Sequence, residues 1–214
     1  MNPYSFAGFA LSAVFAVWEK WSLPEFCWST WLAGLIFAWA CVLAATLHVI
    51  LGARQARVAY AKRFPVLLHL SPLLFILVMT AIALLAGFLA FRIVTFALAF
   101  YGLFLSVFAG MEPQSMFGPN GFINSDFFTP VAYLLDRFWP VALGMLVANW
   151  EIFVRRRPWK QIMLPLGREI IRLHLLVLAL PFISMIAWVI LGDRFQAATI
   201  FLLMGVLYFL PAKP

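Results

Sequence analysis

The chain has 214 residues, of which 65% are hydrophobic and only 11% are charged. A soluble domain is about half apolar and a quarter charged, so this composition excludes an ordinary soluble protein and indicates an integral membrane protein. The formal net charge of +7 does not indicate nucleic-acid binding, because the basic residues lie between apolar runs, where they orient membrane proteins.

The apolar runs are continuous rather than alternating, which favours membrane-crossing helices over a transmembrane β-barrel. We therefore predict an all-α, polytopic transmembrane helical bundle that forms one integral membrane domain. In the first span, Gly8 and Ser12 are spaced to let another helix approach closely. The seven apolar segments that we predict to be spans are 4–18, 26–51, 66–90, 93–110, 130–154, 170–191 and 195–210.

The stretch between residues 64 and 110 organises this prediction, because it carries a single formal charge, Arg92. As one helix it would extend about 70 Å, more than twice the ~30 Å thickness of the hydrocarbon core. We therefore expect the chain to turn at Arg92 and to form two spans. Before this stretch, Gly52 is expected to end the second span, which leaves residues 52–65 as a basic loop.

Two basic stretches, 52–65 and 155–160, set the orientation of the chain. The positive-inside rule places both in the cytoplasm, where they contact anionic lipid head groups, and this arrangement requires six crossings. Hydrophobicity favours seven crossings, which put the two stretches on opposite faces, so the number stays open between six and seven. The predicted head-group residues are Arg54, Arg57, Lys62, Arg63, Arg155, Arg156, Arg157 and Lys160.

Three histidines are candidate cofactor ligands. His48 and His69 flank the first basic stretch and are expected at similar depth, and His174 joins them only if both basic stretches share a face. Two histidines on neighbouring helices can ligate a haem iron or a metal. More often such histidines pack between helices, and no cysteine or carboxylate completes a metal site here. No metal or cofactor is therefore predicted, with haem or quinone kept as an alternative.

Ionisable side chains in the fifth span, the least regular of the seven, are candidate functional residues because charge at membrane depth is costly. Asp136 and Arg137 are adjacent, hence about 100° apart on a helix, and should find different partners. Asn149 and Glu151 lie near the second basic stretch. These four residues either line a polar path for a substrate or proton, or hold helices together.

Three short motifs stand out: Trp21-Ser22-Leu23, Tyr101-Gly102-Leu103-Phe104 and the stretch PLGREIIRLH at 165–174. They resemble an uncharacterised bacterial family of multi-pass membrane proteins. That family typically has a Tyr-Trp-x-Glu-Asn-like sequence in the second span and a His before the Tyr-Gly pair. At these places this chain has residues 30–34 (TWLAG) and Phe100, so both polar signatures are missing. The resemblance implies a polytopic helical fold and no known activity, and it points to a bacterial cytoplasmic membrane.

Metalloprotease, P-loop, nucleophile-elbow and Rossmann patterns are absent from the sequence, so an enzyme is not favoured. The favoured function is a non-catalytic membrane subunit or scaffold of a larger assembly, with other membrane proteins as partners. Two alternatives stay open. One is a small transporter or channel with a polar path near Asp136 and Glu151. The other is a haem- or quinone-binding redox protein that uses His48, His69 or His174.

Overall fold

The computed structural model describes residues 3–63, 71–108, 126–154 and 182–209. Within these ranges every regular element is helical, and a 3₁₀ turn at Gly192–Arg194 joins the last two helices. The helices are α1 (Pro3–Trp18), α2 (Leu23–Arg63), α3 (Pro72–Phe108), α4 (Phe128–Ala148), α5 (Trp150–Val154), α6 (Phe182–Leu191) and α7 (Phe195–Phe209).

Three of these helices, α2, α3 and α4, are long and apolar enough to cross a membrane, and α1, α6 and α7 are shorter apolar helices. The all-α prediction for a membrane protein is thus confirmed at this level. The first and last predicted spans coincide with α1 and α7 within one residue. Of the sixth, 170–191, the described part is α6, and residues 170–181 lie outside the described ranges.

The predicted turn at Arg92 is wrong, because α3 is one helix of 37 residues that passes through this position without interruption. The expected spans 66–90 and 93–110 therefore belong to the same helix over residues 72–108. Arginine is a good helix former, and its neighbours Phe91 and Ile93 do not break helices. The helix starts where the sequence supplies a cap: Ser71 Oγ accepts a hydrogen bond from the Leu74 N–H at 3.2 Å, and Pro72 fills the first position.

The predicted end of the second span at Gly52 is also wrong, because α2 continues to Arg63 and is 41 residues long. A glycine inside a helix costs about 1 kcal/mol relative to alanine, and the alanines, arginines and glutamine that follow are good helix formers. The first basic stretch is therefore helical through Arg63 rather than a loop. At about 1.5 Å per residue, α2 and α3 extend roughly 60 and 55 Å.

Helices α2 and α3 pack antiparallel, and two tryptophans of α2 fix their register. The Trp31 indole N–H, on a fully buried side chain, donates to the Leu98 carbonyl at 2.8 Å, and the Trp39 indole N–H donates to Thr95 Oγ1 at 2.8 Å. Gly102 makes room for the first of these rings, because a Cβ there would lie 3.0 Å from the indole. The close approach of the two backbones therefore depends on small residues of α3.

A second close contact joins α1, α4 and α7. Gly8 of α1 meets Gly144 of α4 so closely that a Cβ on Gly8 would collide with the Gly144 carbonyl oxygen. Ser12 donates to the Gly8 carbonyl at 3.0 Å, and its Oγ lies 2.7 Å from the Tyr208 hydroxyl of α7. Because the Ser12 proton is already used, the Tyr208 hydroxyl is the donor in that bond. The predicted role of Gly8 and Ser12 in helix contact is thus confirmed.

The fifth predicted span, 130–154, is not one straight rod. Phe138 has non-helical backbone angles (φ −117°, ψ 16°) in the middle of α4, two residues before Pro140. Proline lacks the N–H that would bond the carbonyl four residues earlier, that of Asp136, so the helix bends here. A second break at Asn149 separates α4 from α5.

The contacts of α4 and α5 with α2 show that the chain reverses its direction along α2 at this bend. It approaches the middle of α2 at the start of α4, reaches the first turn of α2 at the bend, and approaches the middle again in α5. The contacts that define this course are Phe128–Trp39 (ring centroids 6.4 Å apart), the Arg137–Glu25 ion pair and Phe153–Phe37 (6.0 Å).

Substitution of Gly8 by alanine should destabilise the bundle, because the added methyl group forces α1 away from α4. Overpacking of this kind costs about 1–3 kcal/mol. Gly52→Ala is the matched control: nothing lies within 4 Å of its added Cβ, and the better helix former should raise stability by up to about 1 kcal/mol. Detergent-induced unfolding followed by circular dichroism measures both changes. Equal stability of the wild type and Gly8→Ala would contradict the packing described.

Candidate functional site

The Arg137 side chain, a predicted path residue, forms an ion pair with Glu25 of α2. Glu25 is held in place by the start of its own helix, because its Oε2 accepts hydrogen bonds from the Ser22 N–H and hydroxyl, both at 2.8 Å. This is the Ser-x-x-Glu capping arrangement, which fixes the carboxylate against the first turn of α2. The ion pair therefore connects the bend of α4 to the first turn of α2.

The position of this pair favours a structural role. The two side chains are 50% and 26% exposed, and the Arg137 guanidinium also lies 5.7 Å from the centre of the Phe138 ring. Trp21 packs edge-on against the same ring, with centroids 5.2 Å apart. Asp136 is exposed beside it, and the expectation that it finds a partner of its own stays a prediction.

Asn149 and Glu151, the other two predicted path residues, follow the α1–α4 contact at Gly144 along the chain. The Asn149 side-chain amide donates to the Met145 carbonyl at 3.0 Å and so closes the end of α4, and Glu151 is half-buried in the first turn of α5. Asn149 is thirteen residues after Asp136, which corresponds to roughly 20 Å of helix at 1.5 Å per residue. The four residues thus form two separate groups rather than one cluster.

Only one of the three candidate histidines lies in a described range. His48 is half-buried on α2, and its Nδ1 is a buried atom that has no hydrogen-bond partner among the described residues. His69 and His174 lie outside those ranges. The described ranges contain no group of three or more His, Cys, Asp or Glu side chains that could hold a metal ion. Haem or quinone binding by these histidines stays a prediction.

Some of the predicted head-group residues lie in the described ranges, and the others lie outside them. Arg54 is exposed and Arg57 is half-buried on the last turns of α2. Lys62 and Arg63 belong to the helical backbone of α2, and nothing is described of their side chains. The second basic stretch, with Arg155, Arg156, Arg157 and Lys160, lies outside the described ranges.

The start of α4 carries a well-defined polar cap at Asp126. Its carboxylate accepts hydrogen bonds from the Thr129 hydroxyl at 2.6 Å and from the Thr129 N–H at 3.2 Å. The carboxylate is therefore committed to starting the helix, a role that the sequence pattern Asp-x-x-Thr indicates only weakly.

Arg92 is the functional candidate that the sequence interpretation missed, because it was taken as a turn residue. It lies near the middle of α3, is exposed, and is the only formally charged residue between Pro72 and Phe108. It borders a cavity of about 240 Å³ between α3 and the start of α4. The lining residues are Phe91, Arg92, Thr95, Phe96, Ala99, Phe127 and Phe128.

The depth of Arg92 follows from the register of α2 and α3. The adjacent Phe91 packs on Trp39, with ring centroids 5.2 Å apart, so Arg92 lies close to the level of Trp39 on α2. The charged residues of α2 nearest to this level are Glu25 on one side and Arg54 on the other. Along the helix, at 1.5 Å per residue, Glu25 is about 21 Å and Arg54 about 23 Å from Trp39. Arg92 is thus midway between the two charged ends of the apolar pair.

Comparisons of the chain with protein-family models, with characterised proteins and with solved structures gave no match. The resemblance of its short motifs to an uncharacterised bacterial family stays a prediction.

The Arg137–Glu25 pair should contribute little to stability, because both groups are partly exposed and exposed pairs contribute about 0.2–1 kcal/mol. A double-mutant cycle with Arg137→Gln and Glu25→Gln, read by detergent-induced unfolding, should give a coupling free energy below about 1 kcal/mol. Arg54→Gln with Glu25→Gln is the control, since these residues lie far apart on α2, and its coupling should be zero within error. A coupling of several kcal/mol would show that the pair is deeply buried in the assembled protein.

Proposed function

We propose that the chain is a non-catalytic integral membrane subunit or scaffold, which holds a larger assembly together within the bacterial cytoplasmic membrane. The observation that carries this proposal is the exposure of α3. In the most apolar stretch of 18 residues in α3, only 17% of the residues are buried within the described chain. The corresponding share is 44% in α2 and in α4. An apolar helix with so little of its own chain around it is suited to contact with lipid and with other membrane proteins.

The exposed face of α3 extends over most of its length. Large apolar side chains that are more than half exposed recur along it, which gives a surface as long as a second helix. They are Leu73, Leu77, Ile82, Leu84, Leu85, Phe88, Leu89, Ile93, Phe96 and Phe100. Association of helices within lipid is driven by packing and by polar contacts rather than by burial of apolar area, so a partner here needs shape and charge complementarity.

The polar residues of α4 support this function better than transport. Arg137 forms an ion pair with Glu25 in the first turn of α2, and the Asn149 side chain donates a hydrogen bond to the backbone of α4. Both arrangements hold helices in place, and no observation on the described residues favours a continuous polar path. A transporter remains testable: charge neutralisation at Asp136 and Glu151 would abolish flux without loss of folded protein.

We also propose six crossings, by α1, by α2, by α3, by the part of the chain that runs from the bend of α4 through α5, by α6 and by α7. The support is the single helix α3, which replaces two of the seven predicted spans. With one span fewer, both basic stretches face the cytoplasm, in agreement with the positive-inside rule. Of the Lys and Arg residues outside the seven spans predicted from the sequence, ten then face inward, and Lys20 and Arg194 face outward.

Cysteine labelling tests this topology. In a background with Cys27 and Cys41 replaced by serine, single cysteines at Lys62, Lys160 and Lys20 are exposed to a membrane-impermeant maleimide in intact cells. We expect labelling at position 20 only, with positions 62 and 160 labelled after the cells are opened. Labelling of positions 62 and 160 from opposite sides would restore seven crossings.

Site-specific photocrosslinking tests the subunit function. A benzophenone amino acid at Phe96 on the exposed face of α3 should give a discrete adduct with one membrane protein in native membranes, identified by mass spectrometry. The control position is Phe6, 55% exposed on α1, where we expect lipid adducts only. Lipid adducts alone at Phe96, and at Phe88 and Phe100, would contradict the proposal.

A further inference from the structure

The isolated charge of Arg92 calls for a counter-charge. Charged side chains near the centre of a bilayer are costly, so they are almost always paired or turned toward a polar cavity. An arginine side chain reaches the interface by snorkelling only from near a helix end. Measured along the helix from the level of Trp39, Arg92 is about 21–23 Å from the two charged ends of α2, which is beyond that reach.

The described residues do not supply the counter-charge. The described carboxylate next to the cavity along the chain is Asp126, which precedes the lining residue Phe127, but its oxygens accept hydrogen bonds from Thr129. None of the described carboxylates forms an ion pair with Arg92. Thr95, the hydroxyl on the cavity wall, already accepts the Trp39 indole proton. The remaining lining residues are aromatic residues and Ala99, whose side chains offer the guanidinium no hydrogen-bond acceptor.

The surroundings of Arg92 fit an added helix. One turn before and after it, Phe88 and Phe96 are 60% and 65% exposed, and the adjacent Ile93 is 68% exposed. The cavity beside Arg92 opens between this face and the first residues of α4. A carboxylate carried on a neighbouring helix would enter this space while the rest of that helix covered the phenylalanine side chains.

We propose that α3 binds a transmembrane helix of a partner protein that carries an Asp or Glu at mid-depth, and that this carboxylate pairs with Arg92. The inference rests on the proposed function as a membrane subunit and identifies the chemistry of its partner. A phospholipid is a poorer occupant, because its phosphate stays about 15 Å from the bilayer centre. An acidic side chain on a membrane-spanning helix brings its charge to the required depth, where an ion pair is far better than an uncompensated charge.

Designed peptides test the inference without knowledge of the natural partner. The full-length protein, labelled with a fluorescent donor, is reconstituted in phosphatidylcholine vesicles with acceptor-labelled polyleucine transmembrane peptides that carry Glu, Gln or Lys at the centre. We expect energy transfer with the Glu peptide at a concentration about tenfold lower than with the Gln peptide, which corresponds to about 1.4 kcal/mol. Arg92→Leu should abolish this preference, Arg92→Lys should retain part of it, and Arg92→Glu should prefer the Lys peptide.

A shift of the charge along the helix provides the sharpest control. Leu85 lies seven residues before Arg92, two turns away on the same face, and is 62% exposed. The double variant Arg92→Leu/Leu85→Arg should lose its preference for a central Glu. It should gain a preference for a peptide in which the Glu is shifted by seven positions from the centre, to the depth of the new arginine at position 85. Simple loss of folding would not produce this change of register.

Three results would overturn the inference while leaving the membrane subunit proposal intact. The first is equal binding of the Glu and Gln peptides by protein that is inserted in the vesicles. The second is a preference for the Glu peptide that is absent from the wild type and appears only in the Glu112→Gln variant. This result would show that Glu112 of this chain is the carboxylate that pairs with Arg92. The third is loss of the preference when anionic phosphatidylglycerol is added, which would make a lipid the occupant. Protein that fails to enter the vesicles at all would instead overturn the proposed function itself.

Discussion

The antiparallel pairing of α2 with α3 determines where the other described helices lie. Two indole hydrogen bonds, from Trp31 and Trp39, tie α2 to positions 98 and 95 of α3. A buried indole N–H needs an acceptor, so a slip of the register by one residue would lose both bonds. Gly87 and Gly102 let the helices approach, because a side chain at either would meet Thr46 or Trp31. With this pair fixed, α4 packs beside the first half of α2.

The bend of α4 is the second constraint. Without it, a helix that starts beside Trp39 and reaches Glu25 could not return along α2 to Phe37. The bend lets its second arm pack on α1 through Gly8 and Gly144, and α1 in turn holds Tyr208 of α7. The fold is thus a series of close backbone contacts at small residues, fastened by a few hydrogen bonds, as is usual for helices in lipid.

The sequence predicts helices, their membrane location and the role of small residues, since these depend on local composition and spacing. It fails where the answer depends on a distant part of the chain. The turn at Arg92 was inferred from the thickness of the bilayer, but α3 lies against a helix of similar length and need not fold back. The partner of Arg137 is 112 residues away, and no spacing rule connects them. Arg92 could have been recognised as a candidate site, because a lone charge in a long apolar run is a functional signal by itself.

The length of the apolar pair has a consequence for the membrane around it. Between Glu25 and Arg54 helix α2 has no formal charge over about 43 Å, well beyond a hydrocarbon core of ~30 Å. A straight helix of this length matches such a core only at a steep tilt, and a thicker bilayer reduces the tilt that is needed. Hydrophobic mismatch therefore makes the inclination of the α2–α3 hairpin responsive to lipid chain length, and the protein is most upright where acyl chains are longest.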